Sequence, residues 1–313
     1  MKATKVRSVR YRALVGTVAA LLLSLPASAA WKPMAASPVP TGYAAAESIN
    51  GIIYVAGGDN GGPNSMLQAF NPETNTWTSL ANMPLTLYQG NGAGVINSQL
   101  YVAGGWNGPL PTNILLKYDP PSNTWTQLPG MLHLSACGAT GVINSKLYVT
   151  TACNGYSGYA NYLDVYDPVA NAWTSLPGST SAHGAPAFGV INGKFYVAGG
   201  VNGAGAISKV TEVYDPVANT WTTLAPMKTA VTFAASVALN GKLYVFGGTT
   251  ATANVTTVQV YDSYTNKWGT TTALPAALSG SSGVVVDGLA FVEAGGGSSG
   301  TTNQYLVISP SIP

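Results

Sequence analysis

Short apolar stretches that end in small residues recur along the chain. The clearest runs from Gly189 to Gly200, where two apolar segments flank Asn192-Gly193. A further segment ends in Tyr214-Asp215-Pro216 and is followed by Trp221. Short apolar segments bounded by turn residues predict β-strands, and Asn-Gly between two of them predicts a tight hairpin. No helical periodicity follows the first 29 residues, so the chain is predicted to be all-β.

This pattern repeats through most of the chain. The second apolar segment of each copy contains an aromatic residue at the same place, the fifth residue from the end of the segment. Successive copies of this residue are 47, 47, 48, 48 and 47 positions apart: Tyr54, Tyr101, Tyr148, Tyr196, Tyr244 and Phe291. A tryptophan recurs in phase, at Trp31, Trp77, Trp125, Trp173, Trp221 and Trp268. A period near 50 residues with four strand patterns in each period predicts a β-propeller of four-stranded antiparallel blades.

The two ends of the chain are complementary in this repeat. The sixth copy reaches Ile308-Ser309-Pro310 and stops before its tryptophan, whereas Trp31 has no copy of the first three strands before it. We therefore predict that the N-terminal strand around Trp31 completes the last blade. Such pairing closes the ring and removes open sheet edges. The prediction is one six-bladed propeller over residues 30–313.

The repeat resembles that of the kelch family. The resemblance rests on the glycine pair that ends the second segment, such as Gly199-Gly200, on the Tyr-Asp-Pro turn and on the spaced tryptophan. It covers the chain after about residue 30. A WD-type propeller is disfavoured because no Trp-Asp dipeptide ends a repeat. The resemblance implies strands a to d in each blade. It also implies that the loops from d to the next a, and from b to c, share one face that family members use for ligands.

Residues 1–29 have the composition of a secretory signal peptide. Five basic residues occur between Lys2 and Arg12, an apolar run extends from Ala13 to Leu25, and Ala27-Ser28-Ala29 is a small-residue cleavage pattern. The run is shorter than the ~20 apolar residues of a membrane span. We expect a secreted or periplasmic protein without a membrane span after cleavage.

Removal of this segment changes the charge balance. It contains five of the 13 Lys and Arg residues and every Arg, which leaves eight Lys against 11 Asp and Glu, a formal charge of −3. A chain without Arg lacks the forked donor that suits phosphate groups. We therefore expect no nucleic-acid partner.

The two cysteines lie in the third copy. Cys137 is predicted in strand a and Cys153 just after strand b, with the hairpin turn at Asn144-Ser145 between them. The two should lie nearly opposite each other, and in an oxidising compartment this favours a disulfide. Closure of such a loop contributes about 3 kcal/mol in the chain-entropy model. The alternative is a pair of buried thiols.

Aromatic, amide and imidazole side chains concentrate in the loops predicted to share one face. Trp106 is the tryptophan that falls outside the repeat phase, so the blade framework does not account for it. Rings mixed with amides suit a neutral glycan, and a protein segment is the other candidate. Asparagines before glycine, such as Asn202, are better explained as turn residues. The predicted binding residues are Tyr88, Trp106, His133, Tyr156, Tyr159, His183 and Asn202.

Candidate catalytic and metal-binding groups are few. His133 and His183 are the only histidines, and two ligands are fewer than zinc or copper sites in proteins use, so neither a metal nor another cofactor is predicted. Glu47 and Glu293 replace small residues of the repeat in blades that become neighbours on ring closure. Two adjacent buried carboxyls would share a proton and could act as acid and base; a water site or a Lys partner is the plainer alternative. His183, Glu47 and Glu293 remain weak catalytic candidates.

The sequence thus favours a secreted, monomeric, non-catalytic module that binds a protein or a neutral carbohydrate. The alternative is a carbohydrate-active enzyme such as a sugar epimerase or mutarotase, since the plan is similar to that of periplasmic N-acetylneuraminate epimerases. Acidic sugars usually require Arg, which the mature chain lacks. Copper radical oxidases of the galactose-oxidase type also share this propeller, but the chain has no Tyr-His pair, and no further domain is predicted, so this activity is disfavoured. A purely structural spacer is the third reading.

Overall fold

The computed structural model describes residues 31–88, 92–154 and 158–293, together with 296–297, 300–301 and 305–308. The predicted signal peptide, residues 1–29, lies outside the described residues, as does Tyr156.

Five blades are each built from four consecutive antiparallel strands, labelled a to d from the centre outward. Blade 1 consists of Ala45–Ile49, Ile52–Ala56, Leu67–Asn71 and Thr76–Ser79. Blade 2 consists of Ala93–Ile96, Gln99–Ala103, Leu115–Asp119 and Thr124–Leu128. Blade 3 consists of Thr140–Ile143, Lys146–Thr150, Leu163–Asp167 and Ala172–Leu176. Blade 4 consists of Ala187–Ile191, Lys194–Ala198, Thr211–Asp215 and Thr220–Thr223. Blade 5 consists of Ala235–Leu239, Lys242–Phe246, Val258–Asp262 and Lys267–Thr271.

The prediction of six such blades is corrected by this strand order, because the described structure has five blades of this kind. The remaining four-stranded sheet is composite: strands a to c are Ser282–Val286, Leu289–Glu293 and Tyr305–Ile308, and the outer strand is Lys32–Pro33 from the other end of the chain. That outer strand has only two residues, with Lys32 opposite Val307 and Pro33 opposite Leu306. Trp31 precedes the strand instead of lying within it. A proline at this position can pair only at a sheet edge, which accounts for the short strand.

The inner strands enclose a central channel. Strand a of each blade packs against strand a of the next, and strand a of the composite sheet packs against those of blades 1 and 5, so the ring is closed. Two short ribbons extend from the sheets, Trp106–Asn107 with Leu110–Pro111 and Gly296–Gly297 with Gly300–Thr301. The core lies between neighbouring sheets. Tyr148 of blade 3, for example, packs against Tyr214 of blade 4, with ring centres 6.1 Å apart.

The turns form as their residue types predict. Asn192 and Gly193 have φ of 50° and 71°, which both tolerate. Asp215 accepts hydrogen bonds from the amides of Val217 and Ala218 at 2.9 and 3.2 Å, so it holds the c–d turn. Tyr214 donates from its hydroxyl to Asn219 at 2.6 Å. Equivalent contacts hold the c–d turns of blades 2, 3 and 5, where the acceptors are Asp119, Asp167 and Asp262.

The phased tryptophans join each sheet to the loop that leaves the preceding one. The indole of Trp221 donates to the carbonyl of Pro177 at 2.8 Å, and that of Trp268 donates to Ala225 at 2.9 Å. Trp31 makes the equivalent bond to Ala273 at 2.7 Å, although the two residues are 242 positions apart. These bonds satisfy the polar end of a large apolar ring that packs between sheets.

The glycine pair is required where two loops approach strand b. A Cβ on Gly199 would lie 2.6 Å from the Val231 carbonyl oxygen, and one on Gly200 would lie 2.7 Å from that of Gly184. Both glycines have positive φ. Any larger residue would therefore have to displace backbone.

Candidate binding site at the channel mouth

The channel contains a cavity of about 380 Å³ lined by the a strands of all the sheets. Most of the lining is small or aliphatic, and three aromatic rings enter it, those of Tyr43, Phe188 and Phe233. Glu47 is the only acidic or basic side chain among the described residues that line it. A concave, mostly apolar cavity with few polar groups is the usual form of a ligand site.

The mouth of this cavity is bordered by a belt of residues in the left-handed conformation. Tyr43, Cys137, Ala185, Phe233 and Gly280 have φ between 50° and 63°, and each lies in the loop just before a strand a. Their main chains are hydrogen-bonded in series: Ala185 to Cys137, Phe233 to Ala185, Gly280 to Phe233 and Tyr43 to Gly280, at 2.6 to 2.9 Å. Non-glycine residues adopt this conformation rarely, and such backbone persists where the surroundings enforce it.

The belt places two rings side by side over the mouth. Tyr43 and Phe233 meet edge to face, with centres 5.4 Å apart. Gly280 lies beneath them, where a Cβ would come within 2.6 Å of the Tyr43 ring. Gly280 therefore makes room for the Tyr43 ring of this aromatic pair.

Glu47 lies halfway down strand a of blade 1 and faces the cavity. Its carboxylate accepts one hydrogen bond, from the amide of Ser48 at 3.1 Å. Burial raises the pKa of Glu47 to about 7, because the charged form loses hydration that this single bond does not replace. The group therefore titrates near neutral pH.

Glu293 occupies a different site. It is 5% exposed in strand b of the composite sheet, and its nearest described hydrogen-bond donor is the Thr41 hydroxyl at 3.5 Å. Burial raises the pKa of Glu293 to about 8. Glu47 and Glu293 thus contact different partners, and the structure does not join them as the pair that the sequence suggested.

The two histidines lie against acids of strand c. His183 is 4% exposed; its Nε2 contacts Glu212 at 2.9 Å and its Nδ1 contacts the Gly199 carbonyl at 2.8 Å. His133 contacts Asp164 at 3.0 Å and stacks on Tyr162. No group of three or more metal-binding side chains occurs among the described residues. This geometry favours a role for both histidines in holding loops.

Glu212 shows how such a loop is held. It also accepts bonds from the Thr180 amide and hydroxyl and from the Ser181 amide, at 3.0, 2.6 and 3.2 Å. Burial opposes ionisation, but the hydrogen bonds from His183 and Thr180 outweigh it and lower the pKa of Glu212. The d–a loop before blade 4 is therefore anchored by an ionised, buried carboxylate.

Sequence reasoning missed this strand c position. Gln68 bonds Ser37 and Val39, and Gln259 bonds the main chain of Thr229 in both directions. The signal is a polar residue two positions before the strand c aromatic, within an otherwise apolar strand. It occurs at Gln68, Asp164, Glu212 and Gln259. Blade 2 has Leu116 there, so that blade lacks the anchor.

Serines between sheets were also missed. The Ser236 hydroxyl donates to the Phe188 carbonyl and accepts from its amide, both at 2.9 Å. Ser48 and Ser282 donate to main-chain carbonyls across the seam between blade 1 and the composite sheet. Strand a is the inner edge of each described sheet, and no further strand pairs with it there. These serines therefore supply hydrogen-bond partners for backbone groups at that edge.

The remaining predicted binding residues fall into two groups. Trp106 and Tyr88 pair through their main chains at 2.8 and 3.2 Å, which joins the b–c and d–a loops of blades 2 and 1. Tyr159 bridges to Cys153, and its ring packs on Gly184. Asn202 instead accepts bonds from Ala204 and Ala206 at 3.0 Å, the contacts of a turn residue.

The cysteines lie at the same mouth. Cys137 belongs to the belt, and Cys153 is paired through its main chain with Ala136 at 2.9 and 3.0 Å. Both are thiols in the structure, and their sulfur atoms are hydrogen-bonded to each other. The disulfide thus stays a prediction.

A closed ring of four-stranded sheets with glycine-paired b strands, an aromatic rim and a central cavity defines a kelch-type propeller. The family model described as the Attractin/LZTR1 β-propeller matches residues 53–306. The chain therefore belongs to this family, and the predicted kelch-type propeller is confirmed. No helix in the described ranges has the length and apolar character needed to cross a membrane.

Comparisons with individual proteins agree with this family assignment. The chain is 36% identical over 88 residues to Kelch-like ECH-associated protein 1B from Danio rerio, which covers 26% of this chain and 15% of that protein. A solved structure, that of YjhT, superposes with a TM-score of 0.78 at 19% identity, over 88% of this chain and 96% of the other. The second likeness shows the fold alone. The chain spans only about 15% of the length of the curated relative.

Proposed function

We propose that this protein is a non-catalytic binding module whose ligand docks on the loop face over the channel mouth. The observation that carries the proposal is the aromatic rim over a cavity of about 380 Å³. Tyr43 and Phe233 form an edge-to-face pair there, with Trp106 and Tyr88 on a neighbouring loop pair. Large rings held by fixed backbone lose little entropy on binding, which makes such residues effective contact points.

A protein segment is the first candidate ligand. The family supports a binding role, since kelch-type propellers are interaction modules. The cavity is wide enough for a protruding side chain, and the lining is mostly apolar with one carboxyl group. We infer that an exposed loop of a partner protein inserts an uncharged side chain between the rim rings.

A neutral glycan is the second candidate. It is favoured by the rings of Tyr43, Phe188 and Phe233 around one cavity, because sugar CH faces stack on aromatic rings while hydroxyl groups bond to the inner-edge backbone. A sugar epimerase or mutarotase on this fold would need an acid–base group, and Glu47 is the carboxyl that faces the cavity with a pKa of about 7.

The test is a screen of the chain from residue 30 onward on peptide and glycan arrays. Hits are then compared for the wild type, for Tyr43→Ala combined with Phe233→Ala, and for Tyr264→Ala. Tyr264 is 77% exposed in a c–d turn on the opposite face, so its replacement is a matched control. We expect at least a tenfold loss of affinity in the rim variant alone. Equal binding by all three proteins would overturn the proposal.

A turnover assay distinguishes the binding-module proposal from the enzyme alternative. A glycan hit is incubated with the wild type and with Glu47→Gln, and anomeric or epimeric exchange is followed by NMR. The binding-module proposal expects no exchange above the spontaneous rate. Exchange that Glu47→Gln abolishes would favour the enzyme.

We also propose export of the protein as a monomer to the periplasm or the exterior. The support is the basic start, apolar run and small-residue pattern of residues 1–29. Expression in a bacterial host, fractionation and N-terminal sequencing provide the test. A mature start at Ala30 in the exported fraction is expected, and retention of the intact chain in the cytoplasm would contradict it.

A further inference from the structure

Trp106 has a buried donor that the hydrogen-bond network leaves unpaired. Its indole Nε1 is inaccessible to solvent and has no partner within hydrogen-bond geometry. The phased tryptophans differ, because the indole of each donates to a carbonyl of the neighbouring loop, as Trp173 does to Pro129 at 2.8 Å. Buried polar groups in proteins are almost always paired, so an exception calls for an explanation.

The neighbour of this indole is the thiol of Cys137. The nitrogen lies close enough to the sulfur to lower the pKa of Cys137. On the other side, the Cys153 thiol is hydrogen-bonded to the same sulfur. The position of Cys153 is fixed by its paired main-chain bonds to Ala136. The Cys153 thiol of blade 3 and the Trp106 indole of blade 2 thus both lie beside the Cys137 sulfur, and of these two only the thiol is hydrogen-bonded to it.

Such an arrangement suits a thiolate better than a thiol. A neutral thiol is a weak acceptor, whereas a thiolate accepts strong, charge-assisted bonds. The bond from Cys153 lowers the pKa of Cys137 most, burial opposes this, and Trp106 lowers it further. The same bond raises the pKa of Cys153, because that proton is shared with the neighbouring sulfur. Ionisation of Cys137 would give the orphaned indole an acceptor.

Small reagents can reach this sulfur from the channel. Cys137 is only 5% exposed, but it lines the central cavity of about 380 Å³, and Cys153 is partly exposed at the rim. A cavity of this size admits hydrogen peroxide and other small reagents to the Cys137 sulfur. A lowered thiol pKa, access from a cavity and an adjacent second thiol are features of redox-reactive cysteines.

We propose that Cys137 and Cys153 form a peroxide-reactive dithiol, with Cys137 as the attacking thiolate and Cys153 as the resolving thiol. The Cys137 sulfur attacks one oxygen of hydrogen peroxide, the O–O bond breaks, and hydroxide leaves to give Cys137 sulfenic acid. Cys153 then loses its proton and attacks that sulfur. The S–O bond breaks, the disulfide forms, and the second oxygen leaves as water. Two thiols are oxidised while one peroxide is reduced to two waters.

The proposal predicts an order of reactivity that a structural disulfide does not require. The full chain from residue 30 is reduced with a phosphine, desalted and treated with peroxide in the presence of a cyclic 1,3-diketone, which traps sulfenic acid. Peptide mass spectrometry then locates the adduct. The wild type should form the disulfide with little adduct, and Cys153→Ser should carry the adduct on Cys137. Cys137→Ser should leave Cys153 unreactive.

Trp106 provides the sharper variant. Trp106→Phe should slow sulfenic acid formation at pH 7 about threefold for each unit by which the pKa rises, because the loss of thiolate is partly offset by greater nucleophilicity. Trp173→Phe removes a framework indole far from the thiols and should not change the rate. Equal rates in the wild type and Trp106→Phe, or adduct first on Cys153, would overturn the proposal.

If a cysteine variant fails to fold, a second measurement on the wild type still tests the proposal. Brief alkylation of the reduced wild type at pH 6 should label Cys137 before Cys153 and faster than cysteine in the urea-unfolded chain. Equal labelling of the two cysteines would overturn the proposal.

Discussion

Blades 3 and 4 share strands, turns and surface ion pairs, but their rims differ. Lys146 meets Asp167 and Lys194 meets Asp215 at the same 2.8 Å, so the outer faces are alike. At the rim, Cys137 and Cys153 of blade 3 occupy the positions of Ala185 and Val201 in blade 4. The two rim residues with positive φ differ little, at 57° and 50°. The framework therefore fixes the backbone of the rim, while its chemistry varies from blade to blade.

The same two blades also hold their d–a loops differently. The His183–Glu212 pair has side chains 3% and 0% exposed; in the equivalent pair Asp164 is also buried, at 1%, but His133 is 29% exposed. Loss of the acid should therefore matter more in blade 4, because it leaves a buried imidazole and two loop amides without a partner.

The largest expected effect comes from Glu212→Ala. We expect it to destabilise the protein by about 3–5 kcal/mol, against about 1–2 kcal/mol for Asp164→Ala, because water can reach the partly exposed His133 ring that is left behind. Urea unfolding followed by tryptophan fluorescence measures both. Glu212→Gln keeps the size and most hydrogen bonds and serves as the control. Equal losses in the two blades would break the comparison.

The pH dependence of this difference has a definite sign. The folded-state pKa of Glu212 lies below its ordinary 4.5, so its stabilising effect is present above that pH and is lost as pH falls through the folded value. The gap between the wild type and Glu212→Ala should thus narrow below about pH 4. A constant gap down to pH 3 would argue against an ionised carboxylate.

The glycine pair gives the next largest effect. Gly200→Ala should cost about 2–4 kcal/mol, since the new Cβ meets the Gly184 carbonyl in a left-handed backbone. Blade 3 already has Ala152 at this position, 1% exposed. Ala152→Gly should therefore cost about 1 kcal/mol, through chain entropy. Thermal unfolding measures both costs, and similar costs at the two sites would contradict the close approach of the Gly184 carbonyl to Gly200.

Strand a extends the comparison to blade 1, where Glu47 takes the position of Gly141 and Gly189. Its pKa of about 7 means that the folded state holds a proton that the unfolded state has lost, so stability falls as pH rises from about 4.5 to 7. Glu47→Gln should remove this loss, which amounts to at most about 3 kcal/mol.

Urea unfolding at pH 4.5 and pH 8 measures the effect. The variant should match the wild type at the lower pH and exceed it at the higher one. If the difference in unfolding free energy between the wild type and the variant is the same at both pH values, folding does not raise the pKa of Glu47, and the prediction is wrong.

The sequence predicted features that depend on near neighbours. Asn192-Gly193, Asp215-Pro216 and the phased tryptophans each specify a turn or a packing contact within one repeat, so their roles were readable from spacing. The composite sheet was expected from Trp31, but its strand lies at Lys32–Pro33 and is too short to count as a repeat of the other five blades.

Contacts between repeats were beyond the reach of the sequence. The partners of Glu212 lie about 30 residues away, Ser236 bonds across 48 residues, and Ser48 across 237. A polar residue inside strand c was the available signal for the loop anchors. Nothing local shows that Trp106 lies on Cys137, because that contact depends on how two blades meet.

The central claim is that the ligand binds at the channel mouth near Trp106, whereas the phased tryptophans stabilise the propeller. The most direct test is a titration of the array-selected ligand against intrinsic fluorescence in Trp106→Phe and Trp173→Phe. The account predicts that the ligand-dependent change is largely lost in Trp106→Phe and retained in Trp173→Phe, with similar unfolding temperatures for both. A change retained in Trp106→Phe and lost in Trp173→Phe would place the ligand elsewhere and contradict the account.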